Sequence, residues 1–240
     1  METVLGDFLL GWCDFFDNQL LRCAKHKHKE AEFLLSLPLN SSYLDVGAHY
    51  GDTVLTLALY ASTHGRPDLR FIAFEPNSSK CKIIYQIAKM NKLHIKIINS
   101  CVGDKVGKVI NDNQAPSFSG ACSFREITDE AKATCRSPLG LSDGFDMFPL
   151  DKFINEIEPV GLIHIDTEGW ETKVLQGAKK ILSRNNLILI MECWTPEQSI
   201  QRGFSENPEQ DIIEEMNKYP HIRLQDIVDE ERNLVFTINY

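Results

Sequence analysis

Residues 43–53 read Tyr-Leu-Asp-Val-Gly-Ala-His-Tyr-Gly-Asp-Thr, and this stretch decides the fold. Tyr43-Leu-Asp-Val46 has the apolar character of a short buried strand. Gly47 and Gly51 bracket a turn, and Asp52 to Ala61 reads as a helix. Glycine lets a ligand approach the backbone closely, and the free N–H groups of a helix start can face an anion. A dinucleotide fingerprint, G-x-G-x-x-G, would need glycine at 49 and 52, where His49 and Asp52 stand. An NAD-dependent oxidoreductase is therefore disfavoured. The plain structural reading is a tight turn followed by Asp52 as a cap.

The alternation continues outward. Arg70–Glu75 is the next strand, and Ser78 is a candidate N-cap for a helix through Asn91 with Ile83, Ile84 and Ile87 inward. Ile95–Val102, Gly161–Asp166 and Asn186–Glu192 read as further strands. Trp170 to Ser183 reads as one helix capped by Thr167. A helix near Glu209–Asn217 precedes two final strands, Ile222–Val228 and Leu234–Ile238, around a polar turn. Apolar strands alternating with helices specify an α/β fold whose mostly parallel sheet is covered on both faces. The short last turn makes its two strands antiparallel. Residues 111–149, rich in Pro, Gly, Ser and Asp, read as an insertion. Residues 1–40 form an N-terminal helical segment, a lid or substrate cap. Its apolar stripe is Phe8, Leu9, Trp12, Phe15, Phe16 and Leu20. Residues 41–240 form the ligand-binding domain.

Composition narrows the partners. A chain of 240 residues with 43% hydrophobic content suits one sizeable domain and excludes a disordered chain. The net charge of −9 and the lack of a basic patch argue against nucleic acid as a partner. Most of that acidity lies in residues 187–240, with 11 acidic and 4 basic side chains, so it says little about the substrate. The 7 cysteines include no CxxC pair, which fits reduced thiols. Glu2, Asp7 and Asp14 interrupt the first apolar residues, so no signal peptide is read. No run approaches the ~18 apolar residues of a transmembrane segment. A soluble, cytoplasmic protein is expected.

In sheets of this kind ligands bind beyond the carboxyl ends of the strands. Those ends are Asp45-Val-Gly47, Glu75, Ser100-Cys101-Val102, Asp166 and Glu192. An acidic side chain at position 75 can accept both hydroxyls of a ribose, so two acidic strand ends point to a nucleoside. The Gly47–Gly51 loop resembles motif I of S-adenosylmethionine (SAM) dependent methyltransferases. The amine and sulfonium of SAM suit nearby carboxylates, and its own carboxylate suits the helix N-terminus. Five strings together resemble the FkbM family of methyltransferases. They are Asp-Val-Gly-Ala-His-Tyr-Gly (45–51), Ala-Phe-Glu-Pro (73–76), Cys-Val-Gly-Asp (101–104), Pro-Leu-Asp-Lys-Phe (149–153) and Ile-Asp-Thr-Glu-Gly-Trp-Glu (165–171). Val174-Leu-Gln-Gly-Ala178 extends the match, which covers residues 43–194.

The resemblance implies a class I SAM-dependent methyltransferase fold, Rossmann-like, with seven strands and an antiparallel last strand. It implies O-methylation of a sugar, glycan or small hydroxylated metabolite. The family roles would set Asp45, Gly47, Ala48, His49, Gly51 and Thr53 around the methionine part. Glu75 and Pro76 would lie at the ribose, Ser100, Cys101 and Val102 at the adenine, and Asp166 at the reactive methyl. The chain departs from the family at His49, where asparagine is usual, and at His164, where lysine is usual. A hydroxyl acceptor needs a base or a metal. His164, Asp166 and Glu168 are the candidate bases. Asp166 and Glu192, on adjacent strand ends, are candidate ligands for Mg²⁺, which would lower the hydroxyl pKa. The competing reading is a methyltransferase-like protein that binds SAM or acts as a scaffold without turnover.

Overall fold

A computed structural model describes residues 28–111, 124–127, 144–184, 186–228 and 233–238. The apolar stripe at 8–20 and most of the 111–149 insertion lie outside the described residues. The chain opens with helix α1 (His28–Ser36), then β1 (Ser42–Val46), α2 (Asp52–Thr63), β2 (Arg70–Phe74), α3 (Ser78–Met90) and β3 (Ile95–Ile98). After a second sheet come a 3-10 turn (Leu150–Phe153) and the short α4 (Ile154–Ile157). The main sheet resumes with β8 (Val160–Ile165), α5 (Glu171–Gln176), α6 (Lys179–Arg184) and β9 (Ile188–Glu192). Helices α7 (Pro196–Gln201) and α8 (Pro208–Met216) lead to β10 (Ile222–Val228) and β11 (Asn233–Ile238).

The seven-stranded sheet has the order β10-β11-β9-β8-β1-β2-β3. Its strands are parallel except β11, which runs antiparallel to both β9 and β10. Side chains alternate across it. Tyr43, Phe71, Ala73 and Leu162 pack under α1, α2 and α3. Leu44, Val46, Ile72, Ile163 and Ile165 pack under α4, α5, α6 and α8. The nearly all-apolar strands read from the sequence are thus buried on both faces. Among the described residues no helix is long and apolar enough to cross a membrane.

The expected third strand, 95–102, is broken. Ile95–Ile98 stays in the main sheet, and Cys101–Val102 (β4) leaves it. The second sheet has the order β4-β7-β5-β6, with β5 (Gly107–Asn111), β6 (Phe124–Glu126) and β7 (Phe145–Phe148). The break has local causes. Asn99 Nδ2 donates to the carbonyls of Glu75 and Pro76, and Ser100 Oγ bonds the Cys101 and Asp146 carbonyls. These side chains supply partners that the ladder would otherwise give. The cap of α3 is Asn77, not Ser78: its side chain accepts from the Ser79 and Lys80 N–H groups.

The helix expected from 170 to 183 is two helices separated at Gly177. A Cβ there would meet the Gly103 carbonyl oxygen at 2.0 Å. The following α6 is capped from outside: both Asp151 carboxylate oxygens accept from Lys180 N–H and one also from Ile181 N–H. Asp151 N–H in turn donates to the Gly177 carbonyl. The strings 101–104, 149–153 and 174–178 therefore form one joint between the two sheets.

Gly177→Ala tests this joint. Alanine would gain about 0.5–1 kcal/mol in a free helix, so propensity alone predicts stabilisation. The close approach predicts the opposite, a lower urea midpoint corresponding to a loss of about 2 kcal/mol or more. An unchanged or higher midpoint would refute the contact.

Candidate functional site

The register sets the carboxyl ends of the central strands level. Val46 pairs with Phe74 on one side and with Ile165 on the other, and Ile165 pairs with Met191. Gly47, Glu75, Asp166 and Glu192 each follow one of these residues, so they emerge along one edge. Strand order reverses between β1 and β8. A crevice is expected at such a point, and an open cleft of about 720 Å³ lies there.

The loop after β1 is shaped by two glycines with positive φ, Gly47 at 94° and Gly51 at 84°. A Cβ on Gly47 would lie 1.9 Å from the Asp166 carbonyl oxygen. A Cβ on Gly51 would press into Leu55 and Ile84. Gly47 and Ala48 both donate to the Phe74 carbonyl. His49 also has a positive φ, 52°, a conformation histidine and asparagine enter more readily than most residues.

Beneath this loop Asp45 is 1% exposed. One carboxylate oxygen accepts from Val54 N–H at the start of α2, and the other lies 3.0 Å from His164 Nδ1. Register explains the pair, since Asp45 is the β-ladder partner of His164. Burial pushes the Asp45 carboxyl above its ordinary range, and the bond to His164 opposes that shift. On the same face Tyr43 donates to Glu30 of α1 at 2.7 Å.

The cleft wall is built from the strand ends. Gly47, His49, Glu75, Pro76, Ser100, Cys101, Val102, Asp166 and Glu168 line it. Asp45, Ala48, Gly51, Thr53, His164 and Glu192 do not: the first four underlie the loop or begin α2, and His164 lies below the floor. His164 and Asp166 therefore do not share the cleft, although alternate strand residues share a face. Asp166 has left the strand.

Glu75 is buried, yet its oxygens accept only one N–H each, from His49 and Asn77. A carboxylate has room for about four such bonds, so acceptor capacity remains toward the cleft. Burial pushes its carboxyl up to about 7, against the Lys80 charge and those two N–H donors. Burial, reinforced by Lys80, pulls the His49 imidazole down to about 4, so it is neutral at pH 7.

The loop 166–171 is held by Glu171, not by a Thr167 cap. Glu171 Oε1 accepts from Thr167 N–H, Thr167 Oγ1–H and Gly169 N–H. Glu168 has φ 56° and pairs with Arg202 at 2.7 Å, and Arg202 stacks 4.4 Å from the Trp194 ring centroid. Burial, with the neighbouring Asp166 charge, pushes the Glu192 carboxyl up to about 9. The Mg²⁺ expectation finds little here. Among the described residues no group of three or more His, Cys, Asp or Glu is placed to hold a metal.

Wall residues that the sequence reading did not single out include Val109 and Phe145 of the second sheet, Trp170, and Lys80. The first three read as core. Lys80 had one clue, a cation in the first turn of a helix, where the dipole disfavours it.

The family model described as the methyltransferase FkbM domain matches residues 45–224. The solved structure of the FkbM methyltransferase from Methylobacillus flagellatus KT superposes with a TM-score of 0.54 at 16% identity. It covers 82% of this chain, which spans only 44% of that protein. Cofactor-bound Rv0187 from MTB superposes with a TM-score of 0.51 at 10% identity, covering 99% of this chain and 95% of its own. At these identities the likeness is one of fold. No curated protein matches the sequence.

Glu171→Ala removes three hydrogen bonds to one loop and leaves their donors buried. A loss of about 2–3 kcal/mol is expected in denaturant titration, together with faster amide exchange at Thr167 and Gly169. Unchanged exchange at both amides would contradict the assigned bonds.

Proposed function

This chain belongs to the FkbM methyltransferase family, and from that premise we propose that it transfers a methyl group from SAM to a hydroxyl of a sugar, glycan or small hydroxylated metabolite. The observation that carries the reading is the level edge where Glu75 and Asp166 flank the Gly47 loop around one cleft.

SAM supplies an electrophilic methyl on a sulfonium, which an acceptor oxygen displaces in line. The chain must hold the nucleoside, align the acceptor and receive its proton. In this reading Glu75 accepts the ribose hydroxyls through its remaining lone pairs. The close-packed Gly47 turn leaves its backbone open to the methionine part. Cys101 and Val102 supply an apolar wall for the adenine, with Phe145 and Val109 beside them. Asp166 and Glu168 line the cleft beyond Gly47 and receive the hydroxyl proton. His164 acts beneath the floor on Asp45 rather than on the acceptor. The domain reading of an N-terminal cap over residues 1–40 belongs to this proposal, as does an acceptor that is not nucleic acid.

Two measurements test it. Incubation with labelled SAM and a panel of glycans and hydroxylated metabolites, read by mass spectrometry, is expected to put label on an oxygen. SAM binding without transfer to any acceptor would favour the non-catalytic reading. In calorimetry with S-adenosylhomocysteine, Glu75→Ala is expected to weaken binding at least about ten-fold. The ionised carboxylate is the acceptor of two hydroxyls, and its pKa is about 7. Wild-type affinity is therefore expected to fall about ten-fold between pH 8 and pH 6. Glu75→Gln should bind more weakly with a flat profile. A flat wild-type profile would remove Glu75 from the ribose.

A further inference from the structure

Lys80 is a cation on the cleft wall. It is the third residue of α3 and 5% exposed, and it lines the cleft beside Glu75 and Asn77. Its ammonium lies 5.4 Å from the Tyr50 ring centroid. Among the described residues no carboxylate oxygen comes within 4.0 Å of it and no hydrogen bond is made to it. A first helical turn is an unfavourable place for a cation, and this one acts through its charge on both Glu75 and His49. On the same wall His49 Nε2 is buried with no partner among the described residues.

The chemistry of the wall selects the ligand group. A phosphate or carboxylate at Lys80 would also face Glu75, which closes the same part of the cleft. A vicinal diol suits both side chains. Each hydroxyl donates one proton and offers lone pairs. Glu75 can take the protons, but a carboxylate cannot serve the oxygens. Lys80 is the one lysine or arginine among the described residues lining the cleft, and it can donate to them.

We propose that Lys80 is a ribose-binding residue, donating to a hydroxyl oxygen of the same diol whose O–H groups Glu75 accepts. This rests on the reading that SAM occupies the cleft. It makes the ribose clamp a two-residue device, one acceptor and one donor, drawn from β2's end and α3's first turn.

The test is calorimetry of the full chain with two probes, S-adenosylhomocysteine and its 2′,3′-dideoxy analogue. Lys80→Met is expected to weaken S-adenosylhomocysteine about ten-fold and to leave the dideoxy analogue unchanged. Lys80→Gln, which keeps a neutral donor, is expected to fall between wild type and Lys80→Met, and it serves if the methionine variant does not fold. Unchanged S-adenosylhomocysteine affinity overturns the proposal. So does an equal loss for both probes, which would assign Lys80 to another part of the ligand or to packing. If the wild type binds neither probe, the SAM reading itself fails, a result distinct from a wild type that binds well and ignores the substitution.

Discussion

The cleft depends on a single backbone approach. Gly47 lies so close to the Asp166 carbonyl that any Cβ would meet that oxygen at 1.9 Å. Asp166 N–H also donates to the Val46 carbonyl. The ends of β1 and β8 are therefore locked together at the seam where strand order reverses. The lock extends to β2, because the Phe74 carbonyl accepts from both Gly47 and Ala48. Three strand ends become one rigid edge, and the side chains that follow them face a common space. A residue larger than glycine would separate the seam, and the edge would lose its geometry before it lost any functional group.

Around that edge several buried polar groups have partners. Asp45 has His164 and the Val54 N–H, Tyr43 has Glu30, and Glu171 has three donors. A dry interior demands such pairing, since an unpaired buried charge is more costly than a surface one. On the cleft wall the remaining lone pairs of Glu75 and the buried His49 Nε2 have no partner among the described residues, and away from it Ser42 Oγ, Asp104 Oδ1, Glu192 Oε2 and Glu215 Oε1 are likewise buried without one.

The strand ends were legible because apolar runs, glycine spacing and acidic termini are local signals. The seven-stranded mixed sheet and the edge carrying Gly47, Glu75 and Asp166 follow from them. What was not legible is tertiary. The 95–102 run looks like one strand, and only the Asn99 and Ser100 side-chain bonds divide it between sheets. Residues 170–183 have unbroken helical periodicity, and only the approach of Gly103 to Gly177 splits them. Thr167 has the residue type of a cap, yet the donors of that loop turn to Glu171, four residues on. Val109 and Phe145 are indistinguishable from core in sequence, because a cofactor wall and a protein core demand the same apolar surface.

The two departures from the family pattern differ in what they change. At position 49 the constraint is conformational. The turn needs a positive φ, which both asparagine and histidine tolerate, so the exchange keeps the loop. At position 164 the constraint is electrostatic. A lysine opposite Asp45 would bring a permanent positive charge under the loop. His164 Nδ1 instead lies 3.0 Å from an Asp45 oxygen, and burial outweighs its opposing effect, so the Asp45 carboxyl is shifted upward. The Val54 N–H and the N-terminal end of α2 then carry more of the load. In this chain the floor of the loop is thus held by the start of α2 and one imidazole, and among the described residues the one lysine or arginine lining the cleft is Lys80.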